Sequence, residues 1–198
     1  MPMNTRLREL TELHLCEGIT VKRNMVATCC RVLPQMARAT AEAFARGGHL
    51  FLFGNGGSAA DAQHIAAEFV NRLKRERLPL PAIALTVDTS ILTAISNDYS
   101  FEAVYAKQLA ALARPGDIAL GISTSGHSPN VLEALKWSCQ NGLVTLGLAG
   151  ETVTEMDDSC DFILHVPTRV TQIVQECHIA AGHIFCALVE EILFGPVE

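Results

Sequence analysis

From about Leu7 to Arg46, apolar residues recur at three- and four-residue spacing with few turn formers. That period predicts two helices, with Pro34 near the break or in the first turn of the second. Gly47-Gly48 ends the pair, and beyond it the pattern changes. His49 to Phe53, Ala82 to Leu85, Ile118 to Ile122, Leu143 to Leu148 and Phe162 to Val166 are short apolar runs, each read as a buried strand. Between them lie helical stretches: Ser58 to about Arg75, Thr89 to Ile95, Phe101 to Ala113, Pro129 to Gln140, and about Val170 to Leu193. Asn97-Asp98, Pro115-Gly116-Asp117 and Asn141-Gly142 supply turns. Strands alternating with helices predict an α/β three-layer sandwich with a five-stranded parallel sheet, preceded by an N-terminal helix pair. No linker or repeat divides the 198 residues, so the chain reads as one domain, with helices over 1–47 and an α/β core over 48–198.

Composition sharpens this picture. Hydrophobic residues make up 49% of the chain and charged residues only 18%. That is much for a monomer of this size, so both sheet faces should be covered and some apolar helix surface should pack in an oligomer. The net charge is −6, and the only basic run is Lys74-Arg75-Glu76-Arg77, read as a solvated helix end; nucleic acid is a poor partner. No stretch looks like the roughly 18 to 20 apolar residues of a membrane span, and the N-terminus lacks a signal pattern, so the expectation is a cytoplasmic protein without membrane contact. The seven cysteines form no CxxC and read as reduced, small apolar residues; Cys29-Cys30 has no neighbouring partner to make a metal site.

Two clusters carry the candidate chemistry. Gly54-Asn55-Gly56-Gly57-Ser58 follows the first predicted strand, and Ser123-Thr124-Ser125-Gly126-His127-Ser128-Pro129 follows the third. Ligands of open parallel sheets bind at such strand ends. Helix N-termini present unpaired N–H groups and partial positive charge, so hydroxyls and amides there can hold phosphate without a lysine. Pro129 suits the first helical position and Ser128 the cap. An ordinary Ser-rich cap loop would look similar, but two such loops opening helices favour a ligand site.

His64 and Glu68, four residues apart, share a helix face. Gln175, Glu176, His178 and His183 lie on the last helix. Imidazole and carboxylate suit zinc and also move protons, although such a pair is common on plain surfaces. His178 reads as a packed helix residue and Glu176 as oriented by a backbone or hydroxyl group. His127 stands where it could touch a ligand. His14, His49 and His165 have no partner visible in the sequence. Arg72 pairs with Asp98 or meets a ligand, and Asp61 binds a ligand hydroxyl or favours the helix dipole.

Gly54-Asn55-Gly56-Gly57-Ser58, Gly121-Ile122-Ser123-Thr124-Ser125-Gly126 and Asn97-Asp98 together resemble the SIS (sugar isomerase) domain family, most closely its phosphoheptose isomerases, over nearly the whole chain. The resemblance implies a flavodoxin-like sheet and a homotetramer. It implies sugar-phosphate binding by Ser58, Ser123, Thr124, Ser125 and Ser128, with Asn55, Gly56, Gly57, Glu68, Arg72, Asn97, Asp98 and Gln175 completing the substrate site. It also implies one zinc per subunit on His64, Glu68, Gln175 and His183, with Glu68 and His183 as the acid/base pair. The implied reaction converts sedoheptulose 7-phosphate to D-glycero-D-manno-heptose 7-phosphate, at the start of ADP-heptose and lipopolysaccharide core synthesis.

Two other readings remain: a non-catalytic SIS protein that binds a replication initiator, and an isomerase or binding module for another sugar phosphate. The first lacks the acid/base pair, which this chain keeps. Relatives usually carry Arg-Ile where this chain has Ile173-Val174, which bears on substrate preference. Gln175 and His183 are eight residues apart, a rise of about 12 Å on one helix. A second subunit is therefore expected to complete the site.

Overall fold

The computed structural model describes residues 3–196. Two long helices, α1 (Met3–Asn24) and α2 (Val26–Ala45), lead into β1 (Leu50–Gly54), α3 (Gly57–Val70), β2 (Ala82–Ala84) and α4 (Thr89–Asp98). A 3-10 turn (Phe101–Ala103) runs into α5 (Val104–Leu112), followed by β3 (Ile118–Ser123), α6 (Pro129–Gln140) and β4 (Val144–Ala149). A second 3-10 turn (Asp157–Ser159), β5 (Phe162–His165) and α7 (Thr171–Phe194) complete the order. The five strands pair in the order β2-β1-β3-β4-β5, all parallel. This is the flavodoxin-like arrangement, whose strand order reverses between β1 and β3.

Period-two alternation builds the layers. Leu50, Leu52, Leu120 and Ile122 face α2, α3 and α7, whereas Phe51, Phe53 and Ala119 face α5 and α6. All seven of these side chains are almost fully buried. Each large one contributes roughly 1.5–3 kcal/mol. Gly121 and Gly147 lie side by side in β3 and β4. A Cβ at Gly121 would lie 2.9 Å from both Leu135 and Val131, so the bare backbone lets α6 settle onto the sheet.

Several element boundaries differ from the sequence expectation. The break between α1 and α2 falls at Met25, and Pro34 sits inside α2. Buried Leu33, Met36 and Ala37 hold that helix through the lost hydrogen bond. Asn97-Asp98 forms the end of α4 rather than a turn, and Asp88 caps that helix by accepting from the Ile91 N–H at 2.9 Å. The helix expected to reach Arg75 stops at Val70. The basic run after it is no solvated helix end. Arg75 donates to the Phe194 and Gly195 carbonyls at 2.9 and 2.6 Å, and Arg77 donates to the Glu68 and Phe69 carbonyls at 2.8 and 2.7 Å. The two guanidiniums thereby satisfy the C-terminal ends of α7 and α3.

The expectation about membrane spans needs an amendment. α7 is long and apolar enough, by length and composition, to cross a membrane. In the fold it is a layer helix packed on α2 and α3, and it carries buried Glu190 and His178.

His178 shows how tightly α7 is seated. Its ring is fully buried; Nε2 lies 3.1 Å from the Ala149 carbonyl at the end of β4, and Nδ1 has no partner. Burial lowers its pKa to about 4. An unfolded histidine titrates near 6.5, so between about pH 6.5 and pH 4 the unfolded chain binds a proton that the folded one refuses. Stability from this group therefore falls as pH drops through that window. Urea unfolding of wild type and His178→Gln at pH 7.5 and pH 5 should show the wild type losing about 2 kcal/mol more than the variant; equal losses would refute a neutral, buried His178.

Candidate active site

The two glycine- and serine-rich segments follow β1 and β3, the strands between which the sheet order reverses. They are locked together. Asn55 and Asn130 exchange a reciprocal pair of amide hydrogen bonds, each 2.8 Å, and Asn130 is buried. The Tyr105 hydroxyl donates to the Gly54 carbonyl at 2.5 Å and lies 3.3 Å from Asn55 Oδ1. Burial pushes the Tyr105 phenol up to about 12, so it stays a donor. A Cβ at Gly54 would meet the Ile122 carbonyl at 2.8 Å and Ser58 Cβ at 2.9 Å, which explains the glycine. Gly56, with φ 56°, turns the chain into α3 in a conformation that side chains rarely adopt.

In the second loop Ser128 stands at the cap position of α6, but its hydroxyl makes no cap bond. It meets the Ser123 hydroxyl at 2.9 Å instead, so two hydroxyls converge at the loop's base. Ser58 is buried at the head of α3, Ser125 is exposed and accepts from the His127 N–H at 3.2 Å, and Thr124 is half-buried. Gly126, φ 71°, reverses the loop, and the Thr154 hydroxyl donates to its carbonyl at 2.9 Å. Beside this loop opens a cavity of about 400 Å³ whose lining includes Thr124, Ser125, His127 and Arg169.

His64, Glu68 and His183 converge. The Nε2 atoms of His64 and His183 are 2.9 Å apart, and Glu68 Oε1 lies 3.3 Å from His64 Nε2. One ligand atom from each residue lies within 4.8 Å of the other two. Two imidazoles and a carboxylate aimed at one spot are a fitting donor set for zinc or another divalent ion. The same groups suffice for proton transfer. The gathering follows from helix packing. α3 and α7 run side by side, and a Cβ on Gly182 would lie only 2.6 Å from Ile65 Cδ1. Glu68 is two-tenths exposed and His64 half exposed, so the cluster opens to solvent.

Other residues singled out in the sequence lie elsewhere. The Gln175 amide rests against Gly57 at the head of α3, so the residue stands with the first loop. Arg72 pairs with Glu76 and not with Asp98. Asn97 and Asp98 bond each other at 2.8 Å on the exposed end of α4, a helix with no buried residue. Asp61 Oδ2 is buried without a partner; desolvation raises its carboxyl above the ordinary range, and His64 partly offsets this. Ile173 and Val174 are core residues.

Glu176 is held by His14 at 2.9 Å and Lys22 at 3.2 Å, contacts across to α1 that replace the expected backbone or hydroxyl partner. Those two contacts, His14 first, lower its pKa. His165 also has partners, the Gly150 carbonyl at 2.7 Å and Asp157 at 2.8 Å. The sequence reading missed Asn130 and Tyr105. An asparagine after a helix-opening proline and a tyrosine in a helix carry no signal until β1 and β3 are known to be neighbours.

A SIS domain family model matches residues 17–150. The chain is 56% identical over 195 residues to the phosphoheptose isomerase of Solidesulfovibrio magneticus, spanning 98% of this chain and 95% of that protein. Among solved structures, phosphoheptose isomerase from Neisseria gonorrhoeae superposes with a TM-score of 0.85 at 38% identity, covering 93% of this chain and 99% of that one. The Francisella tularensis phosphoheptose isomerase gives a TM-score of 0.85 at 30% identity, over 96% and 100% of the two chains.

The reciprocal amide clamp has a measurable consequence. Asn130→Ala leaves the buried face of Asn55 without its partner, and urea unfolding should report a loss of about 1–3 kcal/mol. In a double-mutant cycle with Asn55→Ala the two losses should be strongly non-additive. Additive losses would mean the two amides act independently.

Proposed function

Because the chain belongs to the SIS-domain family and, within it, to the phosphoheptose isomerases, we propose that it interconverts sedoheptulose 7-phosphate and D-glycero-D-manno-heptose 7-phosphate. The observation that carries this reading is the meeting of Glu68 and His183 on two packed helices, beside loops suited to phosphate. The phosphate is held by the hydroxyls of Ser123, Thr124, Ser125 and Ser128 and by N–H groups at the start of α6, with Ser58 and the Asn55-Gly56-Gly57 turn on the other side. These neutral donors bind an anion in a chain of net charge −6 without an opposing lysine.

In the ketose-to-aldose direction, Glu68 removes a proton from C1 while His183 delivers one to the C2 oxygen, giving the enediol. Return of a proton to C2 and loss of the O1 proton leave the carbonyl at C1. Every proton taken is given back, so the exchange is redox-neutral overall. His64, Glu68 and His183 would hold a zinc ion, whose chemistry is to polarise a carbonyl oxygen, while Gln175, expected as a fourth donor, rests against Gly57 beside the first loop.

The reading includes a homotetramer in which neighbouring subunits complete each site. Leu7, Leu10, Leu13, Leu15 and Ile19 of α1 are each at least half exposed, which supports burial of that helix against another copy. Asn97, Asp98 and Arg72 stand on exposed surface, as expected for residues that serve a neighbour's site. A cytoplasmic enzyme supplying ADP-heptose for lipopolysaccharide core or another glycan fits this chemistry.

Two measurements test the proposal. With sedoheptulose 7-phosphate, NMR should show aldose formation by the wild type, a loss of about 100-fold or more in Glu68→Gln and His183→Gln, and a fall on chelation that zinc reverses. Full turnover in both variants would sink the acid/base assignment. By light scattering the wild type should run as a tetramer, and Leu13→Lys with Ile19→Lys should run smaller; an unchanged mass would remove α1 from the interface.

A further inference from the structure

Beyond the residues that meet substrate, one buried ion pair joins the two helices that carry the acid/base groups. Arg77 and Glu190 are each only 2% exposed, and Arg77 Nε donates to Glu190 Oε1 at 2.9 Å. The rest of the guanidinium is spent on backbone. Nη2 donates to the carbonyl of Glu68 itself at 2.8 Å, and Nη1 to that of Phe69 at 2.7 Å, with longer bonds of 3.2 Å to Asn71 and Leu78. The Glu190 carboxylate also accepts from the N–H groups of Leu73 and Lys74 at 3.3 and 3.4 Å. One planar fork thus finishes the last turn of α3 and ties it to α7.

The placement matters more than the charge. Glu190 lies seven residues after His183, about two turns of helix, and so on the same face of α7. Buried Cys186 lies between these levels; burial raises its thiol, and Glu68 and Glu190 raise it further. The α3–α7 pair is therefore fixed at two heights: at Gly182 against Ile65, and two turns on at Arg77 with Glu190. Glu68 and His183 lie in the bracketed stretch. A buried ion pair is a poor device for stability alone, because desolvation offsets most of its attraction. A planar donor fork is a good device for fixing geometry.

We propose that Arg77 and Glu190 are positioning residues for the isomerase reaction: by binding the backbone of Glu68 and anchoring it to α7, they set the separation of Glu68 from His183. This inference rests on the isomerase reading. Without touching substrate, the pair acts on the chemical step and on the metal-binding cluster, and leaves the phosphate loops alone.

The test uses the full-length protein and three variants. Arg77→Lys keeps the charge and loses the fork. Glu190→Gln keeps the shape and loses the charge. Leu135→Ala, buried on the opposite face of the sheet, is the control for simple destabilisation. For each, kcat and KM are measured on sedoheptulose 7-phosphate, zinc affinity by competition with a chromogenic chelator, and Tm by circular dichroism. Arg77→Lys should lower kcat and zinc affinity about 10- to 100-fold while KM stays within about three-fold. Glu190→Gln should do the same in smaller measure, and Leu135→Ala should lower only Tm.

Folded Arg77 and Glu190 variants that lose Tm but keep kcat and zinc affinity would overturn the proposal. So would failure of both to fold, which would make the pair a folding requirement. If the wild type does not turn over the sugar phosphate, the isomerase reading fails separately, and the zinc titration still decides whether the pair positions the cluster.

Discussion

The His64–Glu68–His183 cluster depends on how closely α3 and α7 approach. Two glycines, one on each helix, permit it: Gly57 takes the Gln175 side chain against its backbone, and Gly182 takes Ile65. A side chain at either position would have to displace Gln175 or Ile65 from its present place. With that spacing, His64 and Glu68 on one helix and His183 on the other come within reach of a common point. Buried Ile65, Phe69, Phe185 and Val189 supply the attraction, and the edge-to-face contact of Phe69 with Phe185, centroids 5.6 Å apart, fixes its geometry. The polar cluster sits on the edge of this apolar seam, so it is rigid on one side and open on the other.

The phosphate loops obey a different constraint, set by the sheet. Reversal of strand order leaves a crevice between β1 and β3 because the following helices, α3 and α6, leave toward opposite faces. Two loops diverging from neighbouring strands would gape, and the Asn55–Asn130 amide pair closes them. Tyr105 reaches up from α5 to the same point, so a residue in the far layer braces the first loop. Hydroxyls that bond one another, as Ser123 and Ser128 do, need no salt bridge to hold them and can turn toward an incoming phosphate oxygen.

Much of this was legible in the sequence because two periods are strong signals. The strand cores β1 and β3, the helix α6 and the whole of α7 lie within a residue or so of expectation, since their apolar patterns are unbroken and Gly or Pro marks their ends. The loops were legible by composition. What escaped was whatever depends on a partner distant in sequence. Arg75 and Arg77 read as a solvated charge run, yet they are folded under and occupied by carbonyls of α3 and α7. Pro34 read as a helix boundary, but packing carried α2 through it. His14 and His165 showed no partners, and Glu176 was given a backbone or hydroxyl partner in place of His14 and Lys22, because the true partners lie on other elements. For the same reason the helical spacing of His64 and Glu68 was visible while the arrival of His183 was not, except through resemblance.

The structure also separates two jobs that the sequence presented together. The His64–Glu68–His183 cluster is assembled inside one chain, from helices whose contact is buried and whose ends are tied by buried arginine bonds. Asn97 and Asp98, by contrast, stand exposed on an α4 that buries none of its residues, and Arg72 is exposed just past the end of α3. A helix with no buried side chain contributes little to the stability of its own subunit, so its sequence is free to be shaped by something outside it. α1 is tied to α7 through His14 and Lys22 on Glu176, yet leaves Leu7, Leu10, Leu13, Leu15 and Ile19 exposed. Chemistry that needs atoms held to a fraction of an ångström is suited to the packed seam of α3 and α7, where His64, Glu68 and His183 meet. Exposed groups such as Asn97, Asp98 and Arg72 are held by few neighbours and suit contacts that tolerate adjustment.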